Sequence, residues 1–109
     1  AERWRSIASE SAQAGPVAVW GAGAKGVTFA MMIDPERQHI DHVIDVNPAK
    51  QGLFLAGSGL AVLPPQQSAR RGTRTIIVMN PNYLAEISMQ ASDAGLAARI
   101  LPLQKRQTS

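Results

Sequence analysis

A glycine-rich hexapeptide between a short apolar run and a helix-like segment constrains this chain more than any other feature. The apolar run covers residues 16–20, and it is followed by GAGAKG and then by a helical pattern that continues to Ile33. A continuous apolar run of this length is typical of a β-strand that is buried on both faces of a parallel sheet. The first glycine allows a tight turn, the second lets a ligand approach the backbone, and the third lets the helix pack closely on the strand. The order strand, glycine loop, helix therefore predicts an α/β fold.

Apolar runs and helical patterns alternate along the rest of the chain. We predict a first helix over residues 2–14, which Gly15 and Pro16 end, and a second helix that Asp34 and Pro35 end. Further strands are predicted at 40–46, 61–63, 75–79 and 98–101, and the strand at 40–46 is expected nearer an edge of the sheet. A short extended piece is predicted at 53–55. A short helix is predicted at 65–71, and a longer helix is predicted between Asn80-Pro81 and Gly95. The expected architecture is a three-layer sandwich around a mostly parallel five-stranded sheet. We expect an N-terminal helix over 1–15, a domain over 16–103 and a disordered tail over 104–109.

The composition excludes several classes of protein. The chain has 109 residues and no cysteine, which rules out a disulfide scaffold, a thiolate metal site and a cysteine nucleophile within it. Its apolar runs are far shorter than the ~20 residues that span a bilayer. The net charge is +3, and the basic excess lies in the second half without interleaved aromatic residues, so nucleic-acid binding is not expected. The start of the chain resembles no signal peptide, and we expect a cytoplasmic domain that belongs to a longer protein.

The glycine loop is the first candidate binding site. Free N–H groups and the partial positive charge of a helix N-terminus attract an anion, and Lys25 lies in the first turn of this helix. Asp45 ends the next predicted strand, 19 residues after Gly26, where a dinucleotide-binding protein has a carboxylate for the ribose hydroxyls. Two alternatives stay open: the glycines serve only the turn and the packing, and Lys25 is an ordinary surface lysine.

A second candidate site is Asn80-Pro81-Asn82-Tyr83, directly after the strand at 75–79. In an open α/β sheet, ligands bind beyond the carboxyl ends of the strands where the strand order reverses. If the order is 3-2-1-4-5, this turn faces the glycine loop across such a crevice. The alternatives are that Asn80 only caps the following helix and that Tyr83 is a packing residue.

No complete set of catalytic residues is visible in the sequence. His39 and His42 are three residues apart on a predicted strand, a spacing that suits neither a metal pair nor a catalytic dyad. No serine has a histidine and an aspartate in a plausible arrangement. We therefore expect this chain not to be catalytic by itself.

Three segments together resemble a known family. VAVWGAGAKGVTFA, VIDVNPAKQG and IIVMNPNYLAEI, in this order, are similar to the C-terminal domain of S-adenosylmethionine-dependent C-methyltransferases, whose best understood members methylate a carbon of a nucleotide-linked deoxysugar. The likeness runs from about Pro16 to Leu101. It implies a Rossmann-like domain that does not bind a dinucleotide. It also implies that a zinc-binding module and a central domain that holds S-adenosylmethionine precede this domain in the same chain.

The resemblance implies a role in binding and enclosing a nucleotide-linked sugar or a related small molecule. The residues that match the family's motifs are candidates for contacts with the substrate or the neighbouring domain: Gly21, Ala22, Gly23, Lys25, Gly26, Asp45, Lys50, Asn80, Asn82 and Tyr83. No cofactor and no metal are expected in this domain itself. Two other functions stay open, a module that binds a nicotinamide dinucleotide and a structural domain that docks a partner domain.

Overall fold

The computed structural model describes residues 2–21, 24–34, 36, 38–47, 49, 59–79 and 81–102. Its centre is a five-stranded sheet of order β3-β2-β1-β4-β5, in which every strand pair is parallel. The strands are Val17–Trp20 (β1), Ile40–Ile44 (β2), Val62–Leu63 (β3), Thr75–Val78 (β4) and Arg99–Pro102 (β5). The α-helices are Glu2–Ala14 (α1), Ala24–Ile33 (α2), Pro65–Arg70 (α3) and Leu84–Asp93 (α4), with a 3-10 helix over Pro81–Tyr83. None of the helices in these ranges is long and apolar enough to cross a membrane.

Helices cover both faces of the sheet, and each face has its own apolar cluster. Ala8 of α1 and Phe29 of α2 pack against one face, where the ring of Trp4 lies edge-on to that of Phe29 at 5.7 Å between centroids. Ile87 and Ala91 of α4 pack against the other face. All four residues of β1 are buried, as an apolar run without alternation requires. The predicted α/β three-layer sandwich with a five-stranded sheet is confirmed.

The turn between α2 and β2 depends on one buried carboxylate. Asp34 follows the last residue of α2, where the next residue is a proline and the helix cannot continue. Its Oδ1 accepts the backbone N–H of Gln38 at 2.8 Å, and its Oδ2 accepts those of His39 and Ile40 at 2.9 and 2.8 Å. Three backbone donors at the entry to β2 are thus satisfied by a side chain that is only 5% exposed.

Several element boundaries differ from the predictions. The residues after Asn80 first form the 3-10 helix, and α4 begins only at Leu84, so the proline does not open the α-helix directly. The strand predicted near an edge, β2, lies between β1 and β3, and four of its five residues are buried. The extended piece predicted at 53–55 and the tail predicted at 104–109 lie outside the described residues.

A core substitution in β4 tests the two-faced burial of the sheet. Ile77 is fully buried in the cluster that α1 and α2 cover, and Ile77→Ala should reduce the free energy of unfolding by about 2–5 kcal/mol. Urea unfolding followed by circular dichroism measures the loss. Met89→Ala is the matched control, because Met89 is 68% exposed on α4 and its removal should change stability by no more than about 0.5 kcal/mol. An equal effect of both substitutions would contradict this packing.

Candidate functional site

The strand order reverses between β1 and β4. The chain passes from β1 to β2 and β3 on one side and then crosses back to β4 on the other side of β1. Trp20 pairs with Val78, so the carboxyl ends of the two strands are adjacent. From these ends α2 leads to one face of the sheet and α4 to the other, which opens the crevice where α/β proteins of this type bind ligands. The observed order is the one that the sequence analysis named as the condition for this crevice.

Gly21 is the candidate residue whose geometry is best defined. Its N–H donates to the carbonyl oxygen of Ile44 at 2.7 Å and so continues the ladder between β1 and β2 by one residue. Its φ of +117° is a conformation that residues with a side chain rarely adopt. A Cβ at this position would meet no described atom within 4 Å. Backbone conformation therefore favours glycine here, and none of the described residues fills the space beside it.

The other residues of the glycine loop are only partly described. Ala22 and Gly23 lie outside the described residues, as does Lys50. Lys25 and Gly26 belong to the first turn of α2, but their side chains are not described. The helix N-terminus thus follows the loop as predicted, whereas the direction of Lys25 stays a prediction.

Asp45 follows β2 and shapes the loop after it. Its N–H donates to Leu63 at 3.1 Å, and its Oδ1 accepts the N–H of Asn47 at 2.8 Å. The Oδ1 of Asn47 in turn accepts the N–H of Ala49 at 3.0 Å. Two successive Asx turns, in which a side-chain oxygen accepts a backbone N–H two residues further on, therefore stabilise this loop. One carboxylate oxygen of Asp45 takes part in the first of these turns. β2 lies next to β1, so Asp45 and Gly21 follow neighbouring strands at the same edge.

Asn82 and Tyr83 lie beyond the carboxyl end of β4, and both are exposed. Tyr83 is 55% exposed, so much of its ring is accessible to a ligand. Tyr83 is also the N-cap residue of α4, without a side-chain cap. Asn80 itself lies outside the described residues. The structure thus brings Gly21, Asp45, Asn82 and Tyr83 to the carboxyl edge of the sheet, with the exposed Val46 beside Asp45.

A buried hydrogen-bonded cluster near β2 escapes the sequence analysis. His42 Nδ1 lies 2.7 Å from Asp41 Oδ2, and His42 Nε2 lies 2.7 Å from Ser68 Oγ in α3. Ser68 Oγ also contacts Thr73 Oγ1 at 2.7 Å, and Arg71 Nε donates to Asp41 at 2.8 Å. The sequence context shows no such arrangement of serine, histidine and aspartate, and only the fold brings these three residues together. Ser68 is completely buried, however, so it cannot attack a substrate, and the cluster is structural.

A register irregularity makes this cluster possible. Val17 pairs with Ile40, but Ala18 pairs with His42, so the pairing with β1 skips Asp41. Consecutive side chains of a regular strand point to opposite faces, whereas an inserted residue redirects its side chain. Asp41 and His42 can then contact each other although they are adjacent in sequence. A distant serine, brought in by α3, completes the set, and spacing in the sequence gives no sign of it.

The protonation states in the cluster follow from its hydrogen bonds and burial. A carboxylate only accepts hydrogen bonds, so His42 Nδ1 carries a proton and the Ser68 hydroxyl donates to Nε2 of the neutral ring. Burial lowers the pKa of His42 below its ordinary value, although the hydrogen bond to Asp41 opposes this shift. Partial burial alone would raise the pKa of Asp41, but the hydrogen bonds from Arg71 and His42 outweigh it and lower that pKa.

These shifts predict a loss of stability in mild acid. The unfolded chain binds the His42 proton at a higher pH than the folded chain does, so the free energy of unfolding should fall as the pH drops below about 6.5. For this one proton the slope is at most about 1.4 kcal/mol per pH unit, and Asp41 adds a further loss below about pH 4. Urea unfolding between pH 7.5 and 4.5 measures the effect.

A pair of histidine variants isolates the contribution of His42. His42→Gln should unfold more easily at pH 7.5 because the cluster is disrupted, and its stability should change less between pH 7 and 5. His39→Gln removes a histidine outside the cluster and should keep the wild-type slope. A wild-type slope in His42→Gln would show that another group causes the acid sensitivity.

Comparisons with known proteins agree with this architecture. Two solved structures share the fold: a Rex-family repressor named RSP (TM-score 0.56, 17% identity) and RSP in complex with β-NADH (TM-score 0.57, 21% identity). Each match covers 86% of this chain and 48% of the other, so the chain spans about half the length of these proteins. At such low identity the likeness shows the fold alone, and the class of the protein is an α/β domain of Rossmann-like architecture.

The sequence match is more specific than the structural one. Residues 2–99 match a family model described as the C-methyltransferase C-terminal domain, which covers most of the chain. The chain therefore belongs to the C-methyltransferase C-terminal domain family, as the resemblance of its three motifs predicted. No curated protein matches the sequence significantly.

Proposed function

We propose that this domain binds and encloses the substrate of an S-adenosylmethionine-dependent C-methyltransferase, and that this substrate is a nucleotide-linked sugar or a related small molecule. Membership of the C-methyltransferase family supports the reaction class. The observation that supports the role in binding is the position of Gly21 beside the point where the strand order reverses, with no described atom in the place of its missing side chain. We also propose that the whole protein is cytoplasmic. In it, a zinc-binding module and a central domain that binds S-adenosylmethionine would precede this domain in the same chain.

The residues of this domain would position the substrate while another domain performs the transfer. S-adenosylmethionine supplies the methyl group in the preceding domain. The backbone amides of Ala22, Gly23 and Gly26, together with Lys25, would hold a diphosphate, because the N-terminus of α2 attracts anions. Gly21, whose own N–H donates to Ile44, would instead let the diphosphate approach the backbone closely. Asp45 and Lys50 are placed in sequence to contact sugar hydroxyls or the neighbouring domain. Asn80, Asn82 and Tyr83 would cover the nucleotide from the other side of the crevice.

Titration with a nucleoside diphosphate tests this proposal. Uridine diphosphate should shift the backbone amide signals of residues 21–26 and 80–83 in a saturable manner, while those of β5 should stay unchanged. S-adenosylmethionine should shift none of these signals. Saturable binding of S-adenosylmethionine by this chain would contradict the assignment, and the absence of any small-molecule binding would favour a domain that only docks a partner domain.

Substitution of Tyr83 tests the side of the crevice that follows β4. An aromatic ring on which a base stacks contributes about 1–3 kcal/mol, so Tyr83→Ala should weaken uridine diphosphate binding by about 5- to 150-fold. Because Tyr83 is 55% exposed, the substitution should leave thermal stability almost unchanged. Met89→Ala, which removes a large exposed side chain elsewhere, should bind as the wild type does. Equal binding by both variants would remove Tyr83 from the site.

A dinucleotide-binding module is the second candidate function. It is favoured by the G-x-G-x-x-G loop after β1, by Asp45 after β2 and by the likeness to a repressor structure that contains β-NADH. Asp45→Asn discriminates the two functions, because an amide oxygen can still accept the Asn47 N–H while the charge that a ribose would need is lost. Under our proposal NADH does not saturate the chain. Saturable NADH binding that weakens at least tenfold in Asp45→Asn would establish the dinucleotide function instead.

A further inference from the structure

A cavity of about 430 Å³ lies at the opposite end of the sheet from the crevice. It is formed by the second half of α1 and by the residues that begin β4 and β5: Glu10, Ser11, Ala14, Arg74, Thr75 and Arg99. Thr75 and Arg99 are register partners in the neighbouring strands. All of its lining residues belong to the part of the chain that the structure describes, and none is a candidate from the sequence analysis.

Two arginines line this cavity: Arg74, which directly precedes β4, and Arg99, the first residue of β5. Arg99 donates from Nη2 to Ser11 Oγ at 3.0 Å, and its backbone N–H donates to the carbonyl oxygen of Arg74 at 2.9 Å. Within the described residues, neither arginine forms an ion pair with a carboxylate, in contrast to Arg71, which binds Asp41. Like charges that line one cavity repel each other, and an anion bound there would offset this repulsion. Glu10 at the same cavity offsets one of the two charges.

Two buried hydroxyl groups add neutral donors to the cavity. Ser11 is 4% exposed and Thr75 is 2% exposed. Ser11 Oγ accepts from Arg99, but its own proton has no acceptor among the described residues, and the Thr75 hydroxyl has no hydrogen-bond partner there either. Buried hydroxyls are normally hydrogen-bonded, so these two point to a missing acceptor.

The absence of a side chain at Gly15 makes room for Arg74 at the cavity. A Cβ at this position would overlap Cγ of Arg74, so the aliphatic stem of Arg74 lies directly against the turn between α1 and β1. The backbone N–H of Arg74 donates to the carbonyl oxygen of Pro16 at 2.9 Å and holds the same turn. Gly15 therefore follows the last residue of α1, and the absence of its Cβ leaves the space that the Arg74 side chain occupies.

We propose that this cavity binds a phosphate group, held by the guanidinium groups of Arg74 and Arg99 and by the hydroxyl groups of Ser11 and Thr75. Guanidinium groups form charge-assisted hydrogen bonds with phosphate oxygens, and the two hydroxyls donate to the remaining oxygens. Ser11 comes from α1, Thr75 and Arg99 come from neighbouring strands, and Arg74 directly precedes β4, so donors from several elements line one cavity. The site is independent of the proposed substrate crevice, which lies at the other end of the sheet.

Titration with inorganic phosphate at constant ionic strength tests the site. Phosphate should shift the amide signals of Ser11, Arg74, Thr75 and Arg99 in a saturable manner, and sulfate should compete with it. Titration with acetate tests whether the cavity binds a carboxylate instead of a phosphate. Stronger binding of acetate than of phosphate would overturn the assignment to phosphate, and the absence of saturable shifts with either anion would overturn the site itself. Neither outcome affects the uridine diphosphate test at residues 21–26.

Charge variants with a matched control separate a specific site from general attraction of anions. Arg74→Gln should weaken phosphate binding about tenfold, because it removes one charge-assisted contact. Arg70→Gln removes an exposed arginine of α3 and should leave the affinity unchanged. Glu10→Gln should tighten binding several-fold, since it removes the opposing charge. Equal weakening by Arg74→Gln and Arg70→Gln would show that phosphate responds only to the net charge.

A substitution at Gly15 provides a test that leaves the charge unchanged. Gly15→Ala should displace Arg74 and weaken phosphate binding, even though every charged group is retained. Gly72→Ala is the control, because Gly72 also has a positive φ, of +79°, but no described atom would contact its Cβ. Unchanged phosphate affinity in a folded Gly15→Ala variant would remove Arg74 from the site.

Discussion

The structure depends on the burial of β1 on both faces. Its four residues, Val17–Trp20, are covered by α1 and α2 on one side and by α4 on the other. A strand buried in this way requires hydrogen-bonding partners at both edges, which β2 and β4 provide. The chain therefore has to cross from one side of β1 to the other. This crossing creates the crevice at the carboxyl ends, so the position of the candidate substrate site follows from the burial of a single strand.

The two ends of the sheet have different chemistry. At the carboxyl end, exposed groups such as Tyr83 and Val46 surround the backbone of Gly21, and they are available to a ligand or a neighbouring domain. Toward the amino end, buried polar groups such as Asp34 and His42 satisfy backbone and side-chain donors. The cavity at Arg74 and Arg99 lies at this amino end.

Features that depend on neighbouring residues in the sequence are predicted better than features that depend on contacts between distant residues. The buried strand β1 and the end of α2 before Asp34 follow from local patterns, and the structure confirms them. The order of the strands is a non-local property, which the sequence analysis named only as a condition for the crevice. The start of α4 is displaced to Leu84, because Pro81–Tyr83 forms a 3-10 helix that propensity alone does not distinguish from an α-helix. In the candidate site, Gly21 and Asp45 are adjacent at the sheet edge as expected. The participation of Asp45 in a turn with Asn47 was not predicted.

The sequence by itself determined the fold class, the family and the edge of the sheet at which a ligand is expected, because each of these depends on short motifs and on their order along the chain. Only the tertiary structure decided that His42 joins Asp41 and Ser68 in a buried cluster. It also decided that Arg74 and Arg99 share a cavity with Ser11. The physical reason is the same in both cases. These contacts join residues that are distant in sequence, and they depend on a register irregularity or on the absence of one Cβ, neither of which leaves a periodic signal in the chain.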